Sequence, residues 1–205
     1  MAMAKEIFNQ KKSELYKKTV GILLFLFTIA VLGEVIQGYL FETKTLYAVS
    51  VGPVLEEALK GGVLLLFFMA MSLSSPDFKK RLSSKEAWLV GGALTGLLIG
   101  LLEDWIDYSL SLSRLVPTLN HMVWTSLVGL GIFLYIKSEE KRSLDKIAIP
   151  YTIAVVSHVL WNYHAYLIGM GRQDIVFGAL PWIISIGAIG IIWRTTSDQK
   201  IGSSR

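Results

Sequence analysis

Six stretches of this chain are apolar over a length that spans a bilayer: residues 18–40, 46–72, 86–109, 115–136, 147–169 and 175–194. A helix needs roughly 20 mostly apolar residues to cross the hydrocarbon core. Nothing constrains the fold more, because a backbone inside lipid must satisfy its own hydrogen bonds and does so as helix or closed barrel. The separators are polar. "SLSSPDFKKRLSSKE" (72–86) and "KSEEKRSLDK" (137–146) are charged, Pro76 and Pro150 are read as boundaries, and the links near 41–45, 110–114 and 170–174 are short. Ser13–Lys18 is polar and the first apolar run is of full spanning length, so no cleavable signal is expected. The expectation is an all-α polytopic membrane bundle of about six helices. It forms one integral-membrane domain over 1–205, with a basic N-terminal segment (1–17) and a short tail (195–205).

The cations fix an orientation. Lys5, Lys11, Lys12, Lys17 and Lys18 lie in the N-terminal segment up to the start of the first span; four more cations lie between the second and third spans, four between the fourth and fifth, and three at the C-terminal end counting Arg194. The opposite side carries only Lys44, Arg114 and Arg172. The positive-inside rule then puts both termini in the cytoplasm of a multi-pass protein of the cell membrane. The net charge of +4 is thereby topological, and nucleic acid is not an expected partner. The absence of cysteine excludes disulfides, thiolate metal sites and a cysteine nucleophile.

The spans nevertheless hold ionisable and polar groups. These are Glu56, Glu57 and Lys60 in the second; Glu103, Asp104 and Asp107 in the third; His121 in the fourth; and His158, Asn162 and His164 in the fifth. Each charge at the centre of a spanning helix costs about 2.5–3.5 kcal/mol on insertion scales, so such groups face one another or a wet cavity and mark function. Glu56 and Glu57 lie four and three residues before Lys60, so both carboxylates reach the ammonium. His158 and Asn162, four apart, share a helix face. From the outer end of its span Glu56 is ~15 Å deep at 1.5 Å per residue, a level compatible with His158. His164, Asp107 and Glu34 lie near span ends and are read as interfacial. Gly92, Gly96 and Gly100 form a small-residue stripe, read as a close helix contact.

Two chemistries suit such a group. Histidines and a carboxylate bind a divalent ion such as zinc while a further glutamate acts as base. Alternatively a buried glutamate deprotonates water, and His and Asn stabilise the oxyanion. A proton- or cation-coupled transporter using the same Glu/His chain belongs to a different class. The chain has no paired inverted-repeat pattern to support it.

The order "PVLEEALKG", "GGALTGLLIGLLEDW", "SRLVPTLNHMVW" and "SHVLWNYHA" resembles the PrsW family of intramembrane proteases, relatives of the CAAX prenyl proteases. The matching positions are Glu56, Glu57 and Lys60; Glu103 with Asp104; Arg114, Pro117 and His121; and His158 with Asn162. Asp104 stands where Asn is common and Ile99 where an aromatic is usual. The glutamate of the third span favours PrsW over CAAX-type relatives, which usually have histidine there. The resemblance implies hydrolysis of a peptide bond in a membrane-anchored protein or peptide, the lipid bilayer being the other partner. CAAX-type trimming of prenylated C-termini is the related alternative. It also implies catalytic Glu56, Glu57, His121 and His158, supported by Lys60, Glu103, Asp104 and Asn162. Glu56 activates water in this reading, Glu57 or Lys60 tunes it, and His121 and His158 bind the oxyanion or, with Glu103, a metal.

Overall fold

The computed structural model describes residues 44–74, 82–105, 114–138, 144–172 and 174–202. The expected first span (18–40), the basic segment before it, Glu34 and Asp107 lie outside the described residues. Those residues form five helices: α1 (Lys44–Ser74), α2 (Lys85–Glu103), α3 (Leu115–Lys137), α4 (Leu144–Gly169) and α5 (Ile175–Gly202). Each corresponds to one expected span. Three of them, α2, α3 and Ile175–Arg194 of α5, are long and apolar enough to cross a membrane. The other two have the length, at 31 and 26 residues, but are interrupted by the polar residues already noted.

Local chemistry sets several ends. Ser84 caps α2, its hydroxyl accepting from the Ala87 N–H. α4 ends in a Schellman cap: Gly171 takes φ 75°, its N–H bonds the Ile168 carbonyl and the Arg172 N–H bonds the Leu167 carbonyl. Asp174 opens α5 by accepting from the Val176 N–H. One expectation needs correction. Pro150 does not bound a helix; α4 begins at Leu144 and carries it as the seventh residue. A proline there forfeits one early intrahelical bond, and its ring packs where Gly131 leaves room on α3. In the third span α2 passes after Glu103 into a wider π-type turn at Asp104–Trp105, and the expected remainder, 106–109, lies outside the described residues.

The glycine stripe explains the tightest packing. α2 and α3 share the most extensive interhelical contact. A Cβ on Gly92 would stand 2.5 Å from the Thr125 carbonyl oxygen, one on Gly96 would collide with the His121 carbonyl, and one on Gly100 would meet the His121 ring at 2.9 Å. The stripe therefore brings the backbone of α3 onto α2 and sets His121 beside the end of α2. α3 is central, burying Trp124, Leu127, Val128, Leu130 and Ile132. Its neighbours keep apolar outer faces exposed, among them Leu94 and Leu98 on α2 and Ile183, Ile186 and Ile191 on α5. Exposed apolar faces around a buried polar layer are what a bilayer-embedded helix bundle requires.

Candidate active site

α1 contributes Glu56, Glu57 and Lys60 from adjacent turns. Lys60, 1% exposed, donates to Glu57 Oε1 at 2.9 Å and reaches Glu56 Oε2 at 3.4 Å. It also lies 2.7 Å from His121 Nδ1 on α3. An ammonium has only donors, so Nδ1 accepts. The proton of a neutral His121 is then on Nε2, which faces Glu103 Oε2 at 3.1 Å. His158 of α4 places Nδ1 3.2 Å from Glu57 Oε1 and Nε2 3.7 Å from Glu56 Oε2. With Glu57 as carboxylate, Nδ1 donates and the Nε2 lone pair is presented beside Glu56. Four helices thus meet at one hydrogen-bonded cluster.

The helices are pinned where it matters. The Tyr151 hydroxyl donates to the Val54 carbonyl at 2.6 Å, tying α4 to α1 one turn before Glu57. Ser185 of α5 donates to Ser157 at 2.9 Å, and both are fully buried next to His158. The Trp124 indole stacks on the His158 ring with centroids 4.3 Å apart, and the His121 ring stands edge-on to His158 at 5.2 Å. Glu57 accepts a further bond from Thr125 at 3.4 Å.

Glu56, Glu103, His121, His158 and Asn162 line one cleft of about 340 Å³. Arg114 lines it too, with Nη2 3.7 Å from Glu103 and Nε 2.7 Å from Asp104 Oδ1. Asp104 is buried below the wall, and the Thr118 hydroxyl donates to its Oδ2 at 2.6 Å. Every sequence-singled site residue therefore belongs to this cleft or to its support, with Asp104, Glu57 and Lys60 behind the surface. His164 lies elsewhere, against Gly178 of α5. The sequence reading missed Trp124, Thr125 and Thr118. Their signal was present: they sit at +3, +4 and −3 from His121 and so share its helix face.

One ligand atom each from Glu56, His121 and His158 falls within 4.8 Å of the others. This donor set fits a divalent ion, since two imidazoles and one carboxylate with an open fourth position are a known catalytic zinc arrangement. Here Glu56 completes the trio, and Glu103 stands behind His121 as its hydrogen-bond partner. Glu57 stands in the same relation to His158, the carboxylate–histidine arrangement that orients metal-binding imidazoles.

No curated protein and no solved structure matches this chain. A family model does, that of the PrsW family intramembrane metalloproteases, over residues 15–189. With the match covering most of its length and the motif residues gathered in one cleft, the chain belongs to the PrsW family and is a membrane-bound protease.

Proposed function

We propose that the protein cuts a peptide bond of a membrane-anchored protein by water attack in the cleft, with Glu56 as the base. The observation that carries this reading is the meeting of Glu56, His121 and His158 at one open cleft. Glu56 is the member with room, at 38% exposure against 0% for Glu57. It takes the proton of a water and returns it to the leaving amine. Glu57 holds His158 in one tautomer, and Lys60 does the same for His121. Asn162, on the cleft wall, hydrogen-bonds the substrate carbonyl as charge develops on its oxygen.

Glu56, His121 and His158 would hold a divalent ion, which would supply Lewis acidity; Glu56 is the base in the metal-free form and would be a ligand in the metal-bound one. To offer a lone pair, His121 must exchange its Lys60 or Glu103 partner. The surrounding architecture in this reading is a six-span domain over 1–205 with both termini cytoplasmic. The family match favours neither CAAX-type trimming nor a transporter.

The test uses purified protein and a model single-pass peptide, with metal content and chelator sensitivity measured in parallel. Wild type is expected to cleave and Glu56→Ala to be inactive at unchanged melting temperature. Loss of cleavage with chelator, restored by zinc, supports the metal-assisted form; cleavage indifferent to chelator by metal-free protein supports glutamate alone. Full cleavage by Glu56→Ala removes the proposal.

A further inference from the structure

His164 is the one intramembrane histidine that the catalytic cluster leaves out. It lines a second cleft of about 420 Å³ between the start of α3, the outer end of α4 and the start of α5. Two indoles, Trp161 and Trp182, wall this cleft together with Val116, Ile168 and Ile175. His164 Nδ1 is buried without a hydrogen-bond partner. The other such side-chain atom among the described residues is Asn120 Nδ2, one turn beyond Val116 on α3. Gly178 is small because the His164 ring sits against it; a Cβ there would stand 2.8 Å from Nε2.

The second cleft adjoins the catalytic one. Trp161 lines both, and the sequence neighbours Val116 and Pro117 line one each. The partition between them is thus one indole and the first turn of α3. A chain lying across the catalytic cleft beside Asn162 presents its next side chains to this partition.

We propose that the second cleft is a specificity subsite that takes a large apolar or aromatic side chain of the substrate close to the scissile bond. The apolar and indole walls match such a side chain, since an aromatic group gains both area burial and ring stacking. His164 adds an imidazole to the lining. Asp174 at the rim accepts from the Val176 N–H at the start of α5. This rests on the proteolytic reading of the neighbouring cleft.

The test fills the subsite without touching the catalytic groups. Ala179 lines the cleft and is exposed, so Ala179→Trp adds bulk into open space. A set of single-pass peptides carries Ala, Leu, Phe or Asp at each position flanking the cut. Wild type is expected to prefer Phe or Leu over Ala at one fixed position by about tenfold or more in kcat/KM. Ala179→Trp should erase that preference, read as the ratio of kcat/KM for the Phe and Ala peptides. Identical side-chain profiles for the two proteins overturn the proposal. Binding is read separately in the Glu56→Gln protein, using a peptide with a photoreactive benzophenone side chain at the preferred position or, if wild type cleaves nothing, at each position in turn. Crosslinks mapping to Ile175–Trp182 support the subsite, and crosslinks confined to other segments overturn it. This readout still decides when cleavage itself fails, so the two proposals fall separately.

Discussion

The inner and outer halves of the site are built from the same residue types under opposite conditions. Glu57, Lys60 and His158 are at most 3% exposed, whereas Glu56, Glu103 and Arg114 are 38%, 28% and 24% exposed. Inside, Glu57 accepts from Lys60 and Thr125 and lies against His158, so its carboxylate is saturated. Outside, Glu56 has only the longer contacts to Lys60 and His158 and faces the cleft. Two adjacent glutamates therefore differ in one respect that matters for hydrolysis: only one has space for a water molecule. In the proposed mechanism the inner half holds geometry, and the outer half meets the substrate.

The largest effects should separate the halves. Glu56→Gln is expected to lower kcat by about 10²–10⁴-fold, the usual contribution of a general base, without moving the thermal midpoint. Glu57→Gln should also abolish cleavage, but it leaves buried Lys60 with only the longer ion pair to Glu56 and costs about 3 kcal/mol of stability. Adding Lys60→Met to Glu57→Gln should recover much of that stability and none of the activity, a coupling that a double-mutant cycle in detergent reads directly. If Glu57→Gln proved as stable as Glu56→Gln, the division into a positioning half and a reacting half would collapse.

Much of this division was legible in the sequence, and part of it was not. The helix positions followed from apolar length, and the polar cluster followed from the cost of placing Glu56, Glu57, Lys60 and His158 in apolar helices. Spacing alone linked Lys60 to both glutamates, because the interval lies within one helix. It could not rank the glutamates, since that depends on which face of α1 meets α3 and α4. Nor could it join Glu56, rather than Glu103, to the two histidines, because the register between helices is set by contacts such as Tyr151 to Val54 and Ser185 to Ser157. Pro150 misled for a related reason: it costs α4 an early backbone bond, and the helix carries it where its ring faces Gly131.

The next effect in size tests how the two halves are joined. His121 belongs to both, with Nδ1 toward Lys60 and Nε2 toward Glu103, and the glycine stripe of α2 fixes its height. Gly96→Leu forces α3 away from α2 because its side chain would have to occupy the space of the His121 backbone. Overpacking there should cost about 3 kcal/mol, and a shift of ~1 Å at His121 should cost about 10²-fold in cleavage. Leu98→Ala, on the exposed face of the same helix, is the control and should change neither. Equal behaviour of the two variants would mean that the close contact does not position the site.

The smallest expected effect lies wholly in the outer half. The Thr118 hydroxyl donates to Asp104 Oδ2, and Asp104 in turn holds Arg114 through Nε at 2.7 Å. Thr118→Val removes one hydrogen bond to a carboxylate but leaves the Arg114 contact, so about 1–2 kcal/mol of stability is at stake. Arg114 lines the cleft and reaches Glu103 only at 3.7 Å, so loosening its support alters how the wall meets a substrate rather than the proton transfer at Glu56. The expected signature is a rise in KM of a few-fold with kcat unchanged, because uniform binding is lost while the transition-state contacts remain. A fall in kcat at constant KM would place Arg114 and Asp104 in the chemistry, and the boundary between the two halves would then have to move outward to include them.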